Sequence, residues 1–223
     1  MTRGFRATKS YDVLAALPLV AWFGYTLWRQ GPALRFDFGR LLAGADAVSA
    51  LQFLSVAGSA AFFLVVIVAL LVRVKPVARS AGVLPRLTAF AGTFLSVAIL
   101  RLALAPLPLA LQMLSNALIF GGAAASAWIV WRLGRSFAIM PEARELVTNG
   151  PYAFARHPLY TAEALIVIGT ALQFAQPWAG LLAAANVALL YARSVFEERV
   201  LEAAYPAYAA YRARTARFIP GVF

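Results

Sequence analysis

The sequence predicts an all-α, polytopic membrane protein, and three observations carry that reading. Of its 223 residues 62% are hydrophobic and 13% charged, with a mean hydropathy of +0.76, against about half apolar and a quarter charged in soluble domains. The apolar residues gather into runs near the ~20 residues with which an α-helix crosses a bilayer. The charges lie between those runs in short basic clusters, the pattern of membrane flanks.

The first run extends from about Val13 to Trp28, after Arg3, Arg6 and Lys9, with Trp22 and Trp28 as interface anchors and no small-x-small cleavage site behind it. It reads as a retained helix. The second, Ala47 to Val72, is uncharged and closes on "RVKPVAR". The third runs from about Leu87 to Leu104 and contains Arg101, which can snorkel toward an interface. The fourth starts near Pro106 or Pro108 and ends at Trp131, before "RLGR". Its "GGAAASA" stretch, Gly121 to Ala127, permits close approach of another backbone, within the chain or between subunits.

Beyond these four spans (residues 1–132) lies a second region, 133–223. Its apolar stretch from Leu159 to Ala192 has 34 residues interrupted by "QFAQPW". Two full spans need ~40, so length leaves one long helix and a short hairpin both open. Charge parity decides. With a cytoplasmic N-terminus and a hairpin, the chain crosses about six times. Sixteen basic residues then fall on the cytoplasmic side, against Arg29, Arg35 and Arg40 opposite. A single final helix moves five of the sixteen outside, so the hairpin is expected. The tail, with Tyr205, Tyr208 and Tyr211 three apart and Arg212, Arg214 and Arg217 nearby, reads as an amphipathic helix at headgroup level.

Composition also narrows the chemistry. There are no cysteines, one histidine and nine acids, so neither a disulfide nor a metal centre is expected. A net charge of +11 would suit nucleic acid as one patch, but its basic residues are scattered, and no nucleic-acid partner is expected. No Gly-rich nucleotide fingerprint is present.

Polar chemistry concentrates in "NGPYAFARHPLYTAE", residues 149 to 163, which holds the sole histidine. Pro158 disposes His157 to an extended backbone and itself suits the first turn of a helix. His157 therefore stands at a helix mouth, where unpaired N–H groups favour an anion. Gly150-Pro151 turns the chain so that Tyr152 returns to the same place. Tyr152, Arg156, His157 and Tyr160 then line a cytoplasmic-face pocket fit for a carboxylate or phosphate; interface anchoring is the plainer role for Arg156 and Tyr160. A second cluster, "RSVFEE", puts Arg193 and Glu197 four apart on one helix face with Glu198 beside them. The hairpin returns it to His157. Glu197 or Glu198 could grip a ribose or balance a cation, or form a helix-end charge pair. Glu163, at the border of an apolar run, either faces the bundle interior or snorkels.

"LVTNGPYAFARHPLYTAE" followed by "EERVLEAAYPAYAAYRARTARFIP" resembles the isoprenylcysteine carboxyl methyltransferase family and its phospholipid-methyltransferase relatives. The correspondence rests on Gly150-Pro151-Tyr152, Arg156 to Tyr160, Glu197-Glu198, Tyr208 with Tyr211, and Ile219-Pro220, and spans roughly Leu133 to Pro220. It departs at Ala162, where relatives often carry Gly. The resemblance implies an integral membrane enzyme, an S-adenosylmethionine cofactor, and an amphiphilic methyl acceptor that arrives from the bilayer. It implies a cofactor site lined by Tyr152, His157 and Tyr160 and completed by Glu197 and Glu198, with backbone groups around Leu146, Val147 and Gly150 reading the adenine. A carboxylate acceptor, as on an isoprenylcysteine, needs a positioning cation, for which Arg193 stands first and Arg156 second, with no general base. An amine acceptor needs a proton acceptor such as Glu197 or Glu163. A bacterial inner membrane, with both termini and the site cytoplasmic, completes the expectation. The other readings are a phospholipid amine N-methyltransferase, an NADPH-dependent membrane reductase of similar architecture, and a non-catalytic lipid-binding protein. Oligomeric state is left open.

Overall fold

The computed structural model describes residues 9–44 and 46–221; Arg3 and Arg6 of the expected N-terminal basic cluster lie outside them. Helix α1 (Lys9–Leu42) has 34 residues, roughly 51 Å at helical rise. It therefore continues well past Trp28. Arg29, Arg35 and Arg40, expected in a loop, sit on α1 itself. The connection to α2 (Ala47–Val72) is a short turn capped by Asp46, whose side chain accepts from Ser49 N at 2.9 Å, and Arg40 donates to Ser49 Oγ at 2.5 Å.

After α2 the chain forms a two-residue strand, β1 (Ala78–Arg79), then α3 (Leu84–Phe94) and one more turn, α4 (Ser96–Ile99). This third apolar element is shorter than the expected Leu87–Leu104. Arg101 lies beyond it in an exposed turn rather than inside a helix. The cause is tertiary: Ala105 N donates to Gln173 O and Ala175 N to Ala103 O, both at 2.9 Å. Residues 103–105 thus pair with the hairpin turn instead of continuing the helix. Pro106 and Pro108 keep the chain extended until α5 (Leu109–Leu133).

A 3₁₀ turn (Gly134–Ser136) and strand β2 (Glu142–Ala143), antiparallel to β1 with Arg79 opposite Glu142, lead into the His157 segment. Helices α6 (Pro158–Leu172) and α7 (Trp178–Ala204) form the hairpin, and α8 (Tyr208–Arg214) ends the helical structure. Ala47–Val72, Leu109–Ser136 and Trp178–Ala204 are long and apolar enough to cross a membrane, with Leu84–Ile99 and Pro158–Leu172 as shorter apolar helices. The protein is a helical membrane protein.

Packing runs in sequence around an arc: α1 on α2, α2 on α5, α5 on α6, α6 on α7, and α7 on α3. The tightest join is α5 against α6. A Cβ built on Gly122 would lie 2.7 Å from Ala162 O, and one on Gly169 2.9 Å from Ser115 O. The small-residue face of α5 therefore packs within the chain. The close approach that a glycine at 162 would allow comes instead from Gly122 on the partner helix. Ser115 Oγ donates to Gly169 O at 2.8 Å and completes the contact.

Candidate functional site

Gly150 opens the site. Its φ of +59° is left-handed, and a Cβ there would meet the Arg132 guanidinium at 3.3 Å, so the turn requires glycine. The 3₁₀ turn that follows buries Tyr152, whose carbonyl accepts the Tyr211 hydroxyl at 2.6 Å. Residues 156–157 are then held by the tail: Arg156 N donates to Ala216 O at 2.8 Å and His157 N to Arg217 O at 2.9 Å. Pro158 begins α6, and His157, at its N-cap, is buried beneath the tail.

The two acids on α7 occupy different surroundings because successive helical residues point about 100° apart. Glu198 is buried and saturated. Arg156 Nε donates to its Oε1 at 2.8 Å, His157 Nε2 lies 3.1 Å from the same oxygen, and Arg217 Nη2 donates to Oε2 at 2.9 Å. One carboxylate thus ties α7 to the His157 segment and to the tail. Glu197 accepts from the Tyr160 hydroxyl and lies 3.8 Å from His157 Nδ1. His157 and Tyr160 stack with their rings 5.5 Å apart and parallel within 1°. One turn earlier on α7, Arg193 is buried, donates through Nη2 to Ile139 O at 2.9 Å, and lies with its guanidinium 4.8 Å from the Tyr160 ring centroid. Its buried Nε has no hydrogen-bond partner among the described residues.

These groups surround a cavity of about 260 Å³. Of the residues singled out from sequence, Leu146, Val147, Tyr152, Arg156, His157, Tyr160, Arg193 and Glu197 line it. Gly150 and Glu198 do not: Gly150 shapes the turn against Arg132, and Glu198 holds the wall from behind. Glu163 lines the cavity and interacts electrostatically with Arg193 and Glu197.

The cavity continues beyond its polar end. Phe23 of α1, Phe62, Phe63 and Val66 of α2, and Ile166 of α6 add an apolar share to the lining, together with Ser59 of α2 and with Gly92, Thr93 and Ser96 of α3 and α4. None of these was legible as a site residue, because nothing in a run of apolar side chains separates a cavity wall from a packed core.

The tail departs from the expected surface helix. α8 is amphipathic, with Arg212 and Arg214 exposed, but its Tyr208–Tyr211 face is buried in the protein and lines the cavity. Burial pushes the Tyr211 hydroxyl up to about 12 and raises that of Tyr208 as well. Tyr208 Oη is buried and has no hydrogen-bond partner among the described residues. The hydroxyl of Tyr205 donates to Arg144 O at 2.7 Å.

A further cluster had one signal, an acid beside an apolar run. Asp12 near the start of α1 is buried and receives Arg73 Nε at 2.7 Å and Arg144 Nη2 at 3.0 Å, while Arg144 also donates to Glu142 at 2.7 Å and to Val74 O. It wires α1 to the segment that precedes Leu146 and Val147.

Comparison with known proteins places the same part of the chain in a family context. The model of the family described as phospholipid methyltransferase matches residues 110–208, from the start of α5 to the first residue of α8. Over 76 residues the chain is 37% identical to the cobalt-zinc-cadmium resistance protein CzcN of Cupriavidus metallidurans, a stretch that is 34% of this chain and 35% of that protein. The match therefore spans about a third of the relative's length. The family match supports a membrane methyltransferase, in agreement with the motif resemblance.

Proposed function

We propose that this chain, a membrane protein whose residues 110–208 match the phospholipid methyltransferases, uses S-adenosylmethionine to methylate a lipophilic acceptor. The observation that carries the reading is the continuity of one cavity, polar where α6 meets α7 and apolar toward α1 and α2. The chemistry of the lining fits such a cofactor. Glu197 and Glu163 put carboxylates beside a cationic sulfur, His157 and Tyr160 offer stacked aromatic faces, and Tyr208 Oη is a buried hydroxyl in need of a partner. Leu146 and Val147 would flank the base, and Tyr152, His157, Tyr160 and Glu197 the remainder.

When bound, the cofactor supplies a methyl group already activated on a sulfonium. The residues of the chain have to align the acceptor in line with the methyl–sulfur bond and keep water out. For a carboxylate acceptor, as on an isoprenylcysteine, Arg193 is the positioning cation. Its Nη2 bond to Ile139 O and its place over Tyr160 fix the guanidinium in the cavity wall. With such an acceptor no general base would be needed, and the task left to Arg193 would be to hold the carboxylate in place while the cavity wall excludes water. Arg156 has its Nε on Glu198 and its Nη1 on Arg212 O and Thr215 O, which leaves it a structural part of the wall.

One observation favours a second reading, an amine headgroup. Glu163 lines the cavity beside Arg193 and Glu197, and an ammonium acceptor has to lose a proton before its nitrogen can attack. Glu163 would take that proton. The basic end of the bundle would face the cytoplasm of a bacterial inner membrane.

Titration of detergent-purified protein with S-adenosylhomocysteine tests the cofactor. Saturable binding that weakens at least ~10-fold in His157→Ala and Glu197→Gln, about 1.4 kcal/mol each, supports the reading; binding of NADPH in its place overturns it. Labelled methyl transfer into vesicles carrying a farnesylated cysteine, or phosphatidylethanolamine, separates carboxylate from amine.

A further inference from the structure

A second pocket lies on the outside of the bundle, where the segment between β1 and α3 crosses the last turns of α7. Its volume is about 430 Å³, within the range of small-ligand sites. Residues 78–85 form one wall, and Phe196, Arg199, Val200 and Ala203 form the other. Gly82, at a φ of +87°, turns the chain from β1 into α3 along the first wall. This pocket shares no lining residue with the cavity. The partition between them is α7 itself, which gives Glu197 and Leu201 to the cavity and Phe196, Arg199, Val200 and Ala203 to the pocket.

The charge in this pocket has one sign. Arg199 is exposed, with its guanidinium 5.6 Å from the Phe196 ring centroid. It has no carboxylate partner among the described residues, because the acids beside it are taken: Glu198 holds Arg156 and Arg217, and Glu202 holds Arg212 at 2.7 Å. Arg79 enters from the opposite wall. It lies 3.1 Å from Glu142 and 3.6 Å from Asp12, acids that also serve Arg73 and Arg144. Three guanidiniums thus share two carboxylates, and of the three only Arg79 is exposed. The unbalanced positive charge of that network is presented in the pocket together with Arg199. No acid is among the described residues that line it.

Next to the pocket the surface turns apolar. Val83 and Leu84 in its wall, then Leu87 and Phe90 further along α3, recur at helical spacing, and each is more than half exposed. We infer that the pocket binds the headgroup of an anionic phospholipid, with Arg199 and Arg79 on the phosphodiester and the lipid's chains lying outside the bundle along Leu84, Leu87 and Phe90. A guanidinium fork matches two phosphate oxygens, and basic pockets at the ends of membrane helices attract anionic headgroups. A free phosphate would use the arginines alone and leave the apolar stripe without a contact. A zwitterionic headgroup would bring an ammonium that has no carboxylate to meet. The anionic lipid is the ligand that satisfies both the charge and the stripe. It is bound in addition to any methyl acceptor, since α7 separates the two sites, and the proposal does not depend on the methyltransferase reading.

Dioctanoyl phosphatidylglycerol, dioctanoyl phosphatidylcholine and glycerol phosphate are each titrated against the detergent-purified protein, with bound species counted by native mass spectrometry. Phosphatidylglycerol should bind saturably, and the other two at least ~10-fold more weakly. Arg199→Gln should weaken phosphatidylglycerol by ~10-fold or more. Arg214→Gln removes an exposed charge that does not line the pocket and should leave the affinity as it is. Ala203→Trp fills the pocket without changing charge and should weaken the lipid as Arg199→Gln does. Both pocket positions are exposed, so melting midpoints should stay at the wild-type value. Absence of saturable phosphatidylglycerol binding overturns the proposal, as does unchanged binding in Ala203→Trp. Equal weakening in Arg199→Gln and Arg214→Gln would mean diffuse attraction to a basic surface and also overturns it. Glycerol phosphate binding as tightly as the lipid removes the lipid as occupant, and phosphatidylcholine doing so removes the requirement for net negative charge; either result sinks the proposal as stated. Saturating phosphatidylglycerol should leave S-adenosylhomocysteine affinity unchanged, whereas its displacement would put the lipid in the cavity instead. If S-adenosylhomocysteine binds no form of the protein, the methyltransferase reading fails and the lipid site is judged on the titrations alone.

Discussion

At the scale of single residues, adjacent acids carry different tasks. Glu198 has both oxygens engaged by Arg156, His157 and Arg217, whereas Glu197 reaches the cavity with Tyr160. Glu198→Gln should therefore act chiefly on stability, since it leaves the half-buried Arg156 and Arg217 without their shared counter-charge; the loss should lie below the ~3–5 kcal/mol usual for a fully buried pair. Its thermal midpoint in detergent should fall well below that of Glu197→Gln, which should keep its midpoint and lose ligand affinity. Equal midpoints for the two variants would contradict this division. Tyr211 offers a pH test. Its hydroxyl is raised to about 12 by burial and donates to Tyr152 O. The folded form thus holds its proton more tightly than the unfolded chain, whose tyrosines titrate near ~10. The contribution is fully present below about pH 10 and lost as pH rises toward 12. Tyr211→Phe should lower the midpoint at pH 7 by about 1 kcal/mol equivalent and flatten its decline above pH 10, as read by a melting series from pH 7 to 12.

Among the elements, α6 matters most, because its first turn carries His157 and Tyr160 while its body rests on α5. Gly122→Leu places a Cβ 2.7 Å from Ala162 O and has to push the helices apart. Overpacking of this kind costs roughly 1–3 kcal/mol. The neighbouring Gly121 has nothing within 4 Å of its Cβ position, so Gly121→Ala should leave both midpoint and S-adenosylhomocysteine affinity as they are. A matched pair of melting and binding curves checks both. If Gly122→Leu melts like wild type, α5 and α6 do not approach as described. At the other end of the bundle, Asp12 links α1 to Arg73 and to Arg144. Asp12→Asn leaves two buried guanidiniums short of a carboxylate and should destabilise by ~3–5 kcal/mol, with Asp12→Glu recovering part of the loss in a thermal melt.

For the whole molecule, the hairpin brings His157 and Glu198 to one end of the bundle and leaves Trp178 at the other, 63% exposed. In this cysteine-free chain Trp178→Cys should react with a membrane-impermeant maleimide from outside the cell, and Arg212→Cys, at the exposed tail, only after lysis. Labelling in the reverse order would turn the proposed orientation over. The arc of helices belongs to this scale too, since it exists only once helices distant in sequence have been arranged around one cavity.

Local chemistry was readable from residues alone: helical class from apolar runs, the hairpin from charge parity and a Gln-Pro interruption, and His157 with Glu197–Glu198 from motif spacing. Each depends on neighbours within a few positions or on how basic clusters alternate with apolar runs, and the chain order records both. Tertiary structure alone separated Glu197 from Glu198, because which acid meets Arg156 and Arg217 depends on where the tail folds. It also shortened the third helix through the pairing of residues 103–105 with 173–175, and turned the tyrosine face of α8 inward. The apolar share of the cavity lining was decided there as well. A phenylalanine in a core and one lining a cavity have the same hydrophobicity in sequence, and only the absence of a packed neighbour tells them apart.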